Sequence, residues 1–187
     1  APGTYHHSLA VANLAEAAAQ EIGADSMLVR VGALYHDIGK MNNPTNFTEN
    51  QVHSINTLND LEPTESAKII IGHVIKGIEL ARKYKLPERI IDFIRTHHGT
   101  NLVYFFYKKE MAEQGSAQEQ DFRYPGPKPF SKETAILMMA DSVEAASKSL
   151  KEPTSAKIND FVESIVDMHM EPGQFDNANI TFKEIGQ

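Results

Sequence analysis

Five helix-like stretches of this chain each bring a metal-competent residue to an otherwise apolar face: His7, the pair His36-Asp37, His73, the pair His97-His98, and Asp141. A single histidine on such a face is ordinarily a hydrogen-bonded core residue. Seven ionisable groups are harder to bury, because each would cost on the order of several kcal/mol without mutual compensation. Cation coordination compensates all of them at once. Imidazole and carboxylate ligands with open positions suit iron, manganese or zinc engaged in hydrolysis. Asp37, at a helix end where the dipole favours positive charge, can bridge two cations through its two carboxylate oxygens. His7, His36 and Asp141 then complete one shell, and His73, His97 and His98 complete the other.

Charge arithmetic gives this arrangement a use. Two divalent cations less two aspartates leave a site of about +2, able to attract a phosphodiester and to hold a bridging hydroxide as nucleophile. Cations about 3.5 to 4 Å apart steady both the attacking and the leaving oxygen of an in-line displacement. The chain as a whole has a net charge of −7, which argues against gripping a nucleic-acid duplex through phosphate contacts. It contains no cysteine, so disulfides, thiolate zinc sites and cysteine nucleophiles are excluded.

The elements that must position these groups read as helices throughout 187 residues, 41% of them hydrophobic. Apolar residues recur at helical spacing from Ser8 to Ile22, ending at Gly23, with His7 in register with Val11, Leu14 and Ala18. Asp25 or Ser26 caps a second helix running to Ile38, which places His36 and Asp37 in its last turn. Lys40 to Pro63 reads as a polar loop with one short helix around His53. Thr64 caps a helix through His73 that ends before Pro87. Pro87 opens the next, where Ile90, Ile94, His97 and His98 form one stripe closed by Gly99.

A helix is expected from about Thr100 to Gln114. The turn-rich stretch between Gly115 and Phe130 follows, long enough for a mobile loop or lid. Ser131 caps the helix that carries Asp141, Thr154 starts a last full helix, and a new helix begins at Thr181. No repeat, alternating strand or linker interrupts the pattern, so the expected architecture is one all-α domain over residues 1–187. No run reaches the roughly 18 to 20 apolar residues of a membrane helix. The start at Ala1, directly before helical sequence, reads as a cut from a longer protein.

The ligand order H…HD…H…HH…D resembles that of the HD-domain phosphohydrolases over essentially the whole chain. Finer wording, including Gly3-Thr4-Tyr5-His6-His7-Ser8, His36-Asp37-Ile38-Gly39-Lys40, His97-His98-Gly99-Thr100 and Ala140-Asp141-Ser142-Val143-Glu144, is similar to the cytoplasmic HD domain of the bacterial seven-transmembrane HD receptors. That resemblance implies a helical bundle with a dinuclear site in its core, holding iron or manganese. It also implies a phosphodiesterase that opens cyclic di-AMP to linear pApA by a metal-bound hydroxide, on the cytoplasmic side of a parent embedded in the bacterial membrane. Oligomeric state is left open.

The family ligands fall on His7, His36, Asp37, His73, His97, His98 and Asp141. His7 is preferred to His6 because it precedes Ser8 and shares the apolar stripe. Asp37 and Lys40 are expected to be the catalytic residues; Lys40, just past the helix end, reads either as a substrate-phosphate contact or as an ordinary helix C-terminal charge. The cyclic di-GMP branch carries Gly-Tyr-Pro after its histidine pair, whereas here Gly99-Thr100-Asn101 leads into Tyr104-Phe105-Phe106-Tyr107, read as core packing rather than an adenine platform. His53 and His169 read as surface or capping groups. The alternatives are an HD phosphohydrolase of another nucleotide (cyclic di-GMP, an alarmone or a mononucleotide) and a non-catalytic nucleotide-binding module.

Overall fold

In the computed structural model, residues 1–51 and 57–187 are described; the short helix expected around His53 falls outside them. Eight α-helices account for the secondary structure among the described residues, together with short 3-10 turns and one isolated antiparallel bridge between Leu102 and Arg123. None of these helices is long and apolar enough to cross a membrane.

Helix α1 spans Pro2–Glu21, beginning six residues before the apolar periodicity does. Pro2 suits a first turn, where its missing N–H is not needed. The turn is tied down from outside by the Thr4 N–H, which donates to Asn50 Oδ1 at 3.0 Å. Helix α2, Ser26–Tyr35, is capped by Asp25, whose Oδ1 accepts the Leu28 N–H at 3.0 Å. It stops three residues short of the expected Ile38. The reason lies at Gly39, where a Cβ would come within 1.8 Å of the His73 carbonyl oxygen. The chain leaves the helix at His36 and Asp37 and passes through a 3-10 turn, Ile38–Asn42, pressed against the next long helix. That crossing brings Asp37 beside His73.

Helix α3 spans Pro63–Lys83, with Pro63 in its first turn and Glu62 at the N-cap position instead of Thr64. Helix α4 spans Glu88–Thr96, with His97 as its C-cap and Gly99 turning the chain away at φ +49°. Helix α5, Tyr104–Gln114, starts four residues later than expected. Residues 101–103 serve the bridge instead: the Val103 N–H donates to Phe122 O at 2.7 Å and the Tyr124 N–H to Asn101 O at 3.0 Å. The segment 115–130 is therefore pinned and is no free lid. It contains a 3-10 turn, Glu119–Phe122, whose Phe122 is fully buried. Helix α6, Lys132–Ser147, carries a capping box at Ser131; α7, Ser155–Met170, and the short α8, Phe182–Ile185, are capped by Thr154 and Thr181.

The main core is built where α1, α2, α4 and α6 meet. Ala12, Ala15, Ala19, Ala33 and Ala140 keep the helices close, and Val11, Val29, Phe93, Ile136 and Leu137 fill the space between. Phe93 lies where a Cβ on Gly32 would be, 2.4 Å from its ring, and truncating it to alanine would cost roughly 3–5 kcal/mol. Three or four residues beyond Val11, Ala33, Phe93 and Leu137, on the same helical stripes, stand His7, His36, His97 and Asp141. The polar cluster is thus the next layer of the apolar core, one turn further along.

Candidate metal centre

All seven residues singled out by spacing converge. His36, Asp37, His73 and His97 are at most 2% exposed, His7 and Asp141 at most 7%, and His98 is half-buried. His6 is exposed and lies outside the cluster that His7 joins. Two groups of donor atoms form, each with all its atoms within 4.8 Å of one another: His7, His36 and Asp141; and Asp37, His73, His97 and His98.

The imidazoles are set by what holds their Nδ1 atoms. His36 donates from Nδ1 to the Ala33 carbonyl at 2.6 Å, His73 to Ile70 at 2.5 Å and His97 to Ile94 at 2.8 Å. A carbonyl only accepts, so these Nδ1 atoms carry the proton, and in the neutral rings each Nε2 is a bare lone pair. His73 Nε2 and His97 Nε2 then face each other at 3.2 Å. Two lone pairs at that distance repel unless an electrophile sits between or beside them.

Asp37 lies between the groups with its oxygens divided. Oδ2 is 3.4 Å from His36 Nε2 and 3.7 Å from His7 Nε2, while Oδ1 is 3.3 Å from His73 Nε2 and 3.5 Å from His97 Nε2. Neither oxygen receives a hydrogen bond of acceptable geometry, and the same holds for His36 Nε2. Buried polar atoms are rarely left so, given the desolvation involved. An Asp37 Oδ1 without a donor, facing the bare Nε2 atoms of His73 and His97, is an environment a divalent cation fits. The Lys40 ammonium stands 2.7 Å from Asp37 Oδ2 and 2.9 Å from Glu49 Oε1, so it acts as a half-buried counter-ion to Asp37.

The electrostatics differ across the cluster. Burial alone would raise the Asp37 carboxyl, but Lys40 and His36 hold it well below the usual carboxylate range. Asp141 is likewise depressed, its burial outweighed by the neighbouring imidazoles of His36 and His7. Burial opposes the charged form of His36 too, yet Asp37 and Asp141 push it up to about 9. His7 is raised against its burial by Asp141, 2.9 Å from its Nε2. In the other group, burial and the neighbouring imidazoles lower His97 and lower His98 further. An open cavity of about 370 Å³ reaches the cluster, with His7, Lys40, Thr48, His98, Asp141 and Lys148 in its wall.

Three neighbours escaped the sequence reading. Glu144 meets His7 Nδ1, Glu49 pairs with Lys40, and Tyr124 stacks on His98 with ring centroids 4.1 Å apart and planes 17° from parallel. His169 is buried, where a surface or capping role was expected. It bonds Ser142 Oγ through Nε2 at 2.7 Å and Asn101 through Nδ1 at 3.2 Å. The aromatic run divides: Phe106 and Tyr107 join a hydrophobic cluster with Phe122, while Tyr104 and Phe105 are 61% and 63% exposed because helical spacing turns them outward.

Residues 4–146 match the family model for the HD domain. The chain belongs to the HD domain family. Over 98% of its length this HD domain is 47% identical to the cyclic-di-AMP phosphodiesterase PgpH of Bacillus subtilis, and over 99% it is 49% identical to that of Listeria monocytogenes. It spans about a quarter of the length of those relatives, 26% in each case. It is also similar to the crystal structure of the L. monocytogenes PgpH HD domain in complex with cyclic-di-AMP, with a TM-score of 0.96 and 49% identity, over 99% of this chain and 86% of that one. The all-helical HD bundle expected from the sequence is the fold observed.

Proposed function

We propose that this HD domain, taken as one unit over residues 1–187, hydrolyses cyclic di-AMP to linear pApA in a metal-dependent reaction. The observation that carries the reading is likeness along the whole chain, at 49% identity and a TM-score of 0.96, to an HD domain crystallised with cyclic-di-AMP. The divided Asp37 carboxylate supports a site for two divalent cations, iron or manganese. His7, His36 and Asp141 would hold one, His73, His97 and His98 the other, and Asp37 would bridge them. Once bound, such cations would supply Lewis acidity toward the phosphodiester and make water a competent nucleophile at neutral pH.

The chain's own residues do the rest. Asp37 and Asp141 fix the charge that draws cations into a buried site. The backbone carbonyls of Ala33, Ile70 and Ile94 hold three imidazoles in the tautomer that presents Nε2. Lys40, in the cavity wall, would be free to meet a substrate phosphate once bound cations neutralise Asp37. The net charge of −7 is then no obstacle, because the polyanion meets cations at the site and not the protein surface at large. The relatives' greater length fits the further proposal that the domain belongs to a membrane-embedded bacterial parent and works on its cytoplasmic side.

Incubating manganese- or iron-loaded protein with cyclic di-AMP, cyclic di-GMP and a guanosine alarmone in parallel, then separating the products, tests the proposal. Linear pApA should form fastest. Faster consumption of either other nucleotide would overturn the substrate assignment, and binding of cyclic di-AMP with no product over hours would overturn catalysis.

A further inference from the structure

His7 differs from His36, His73 and His97 in how its far nitrogen is held. His36, His73 and His97 each lean on a carbonyl of their own helix, three residues back. His7 Nδ1 meets the carboxylate of Glu144, 137 residues away in sequence. Glu144 lies three residues after Asp141 on α6, so the two carboxylates stand on neighbouring turns of one face. Asp141 Oδ1 faces His7 Nε2 at 2.9 Å. One helix thereby grips both nitrogens of a ring carried by another helix.

From this arrangement we infer that Glu144 is the positioning residue of the cation site containing His7. By accepting the Nδ1 proton it fixes the tautomer that leaves Nε2 open, orients the ring toward Asp141 and Asp37, and raises the basicity of Nε2. The other site owes nothing to it. Glu144 is also 3.2 Å from Lys148 Nζ, and the two side chains are 16% and 55% exposed. This ion pair orients the carboxylate beside the cavity while its cationic partner remains in contact with solvent. The inference rests on the reading that His7 ligates a cation, and its test separates the two.

Calorimetric titration of metal-free protein with Mn2+, without substrate, should resolve two binding events. Glu144→Ala should weaken one of them about 10- to 100-fold, the usual effect of removing a carboxylate behind a ligand histidine, and leave the other unchanged. Glu144→Gln, whose amide oxygen still accepts the Nδ1 proton, should recover most of that loss with an unchanged melting temperature. Unchanged affinities in Glu144→Ala, or a parallel loss at both events, would overturn the assignment. His7→Ala is the control. Loss of one event in His7→Ala but not in Glu144→Ala refutes Glu144 alone, whereas loss in neither refutes His7 as a ligand.

Discussion

The two halves of the cluster share Asp37 but are built on different principles. The half containing His7, His36 and Asp141 draws on α1, the end of α2 and α6, and it is rich in carboxylate: Asp141, Asp37 Oδ2 and, behind His7, Glu144. Its imidazoles hold protons tightly, His36 up to about 9. The half containing His73, His97 and His98 is imidazole on three sides with a single carboxylate oxygen, and burial keeps His97 and His98 neutral. A cation entering the first half displaces protons from a negative site. A cation entering the second meets lone pairs already bare and already opposed at 3.2 Å. The proposed centre would thus combine a charge-driven site with a geometry-driven site, joined at Asp37.

Removing the joint should have the largest effect. Asp37→Asn keeps the shape but takes the charge from both halves, and turnover of cyclic di-AMP should fall about a thousandfold, roughly 4 kcal/mol of barrier, with elemental analysis showing loss of bound metal. Near-normal turnover would mean that the halves act without a bridge. Gly39→Ala separates the halves more selectively. The added methyl, 1.8 Å from the His73 carbonyl oxygen, must push the turn away from α3, costing about 1–3 kcal/mol of stability. It should weaken cation binding at the His73 half more than at the His7 half, as titration with Mn2+ would resolve.

All seven donor positions were legible in the sequence because each is a His or Asp breaking an apolar helical stripe, and such stripes are local. The division into two groups was legible as well, since Asp37 follows His36 at a helix end. The helix end itself was misjudged: α2 stops at Tyr35 because Gly39 packs on α3, a contact across 34 residues that periodicity cannot register. Glu144 and Tyr124 were missed for the same reason. Glu144 sits among Ser142, Val143 and Ala145 with the look of an ordinary helix residue, and Tyr124 opens a Pro- and Gly-rich stretch that reads as mobile. His169 looked like a capping group because its partners, Ser142 and Asn101, lie on other elements.

Smaller effects sharpen the same contrast. Tyr124 stacks only on the geometry-driven side, against His98. Tyr124→Ala should weaken the corresponding Mn2+ binding event about 2- to 10-fold, equivalent to roughly 0.5–1.5 kcal/mol of ring stacking, and Tyr124→Phe should leave it unchanged. The smallest effect concerns His169, which bonds Ser142, next to Asp141, and Asn101. Burial lowers its pKa from 6.5, so the unfolded chain takes up the proton first as pH falls. Its contribution to stability is complete above the unfolded value and fades as pH drops below it. Melting temperatures of the metal-free protein at about pH 7 and about pH 5 should therefore differ less in His169→Gln than in the original chain; an equal difference would show that His169 is not held uncharged by the fold.

Anomalous diffraction from crystals of the manganese-loaded protein addresses the shared Asp37 most directly. Two peaks about 3.5 to 4 Å apart should appear, one among His7, His36 and Asp141, the other among His73, His97 and His98, with one oxygen of Asp37 bound to each. A single peak, or two peaks of which only one touches Asp37, would contradict the bridged centre.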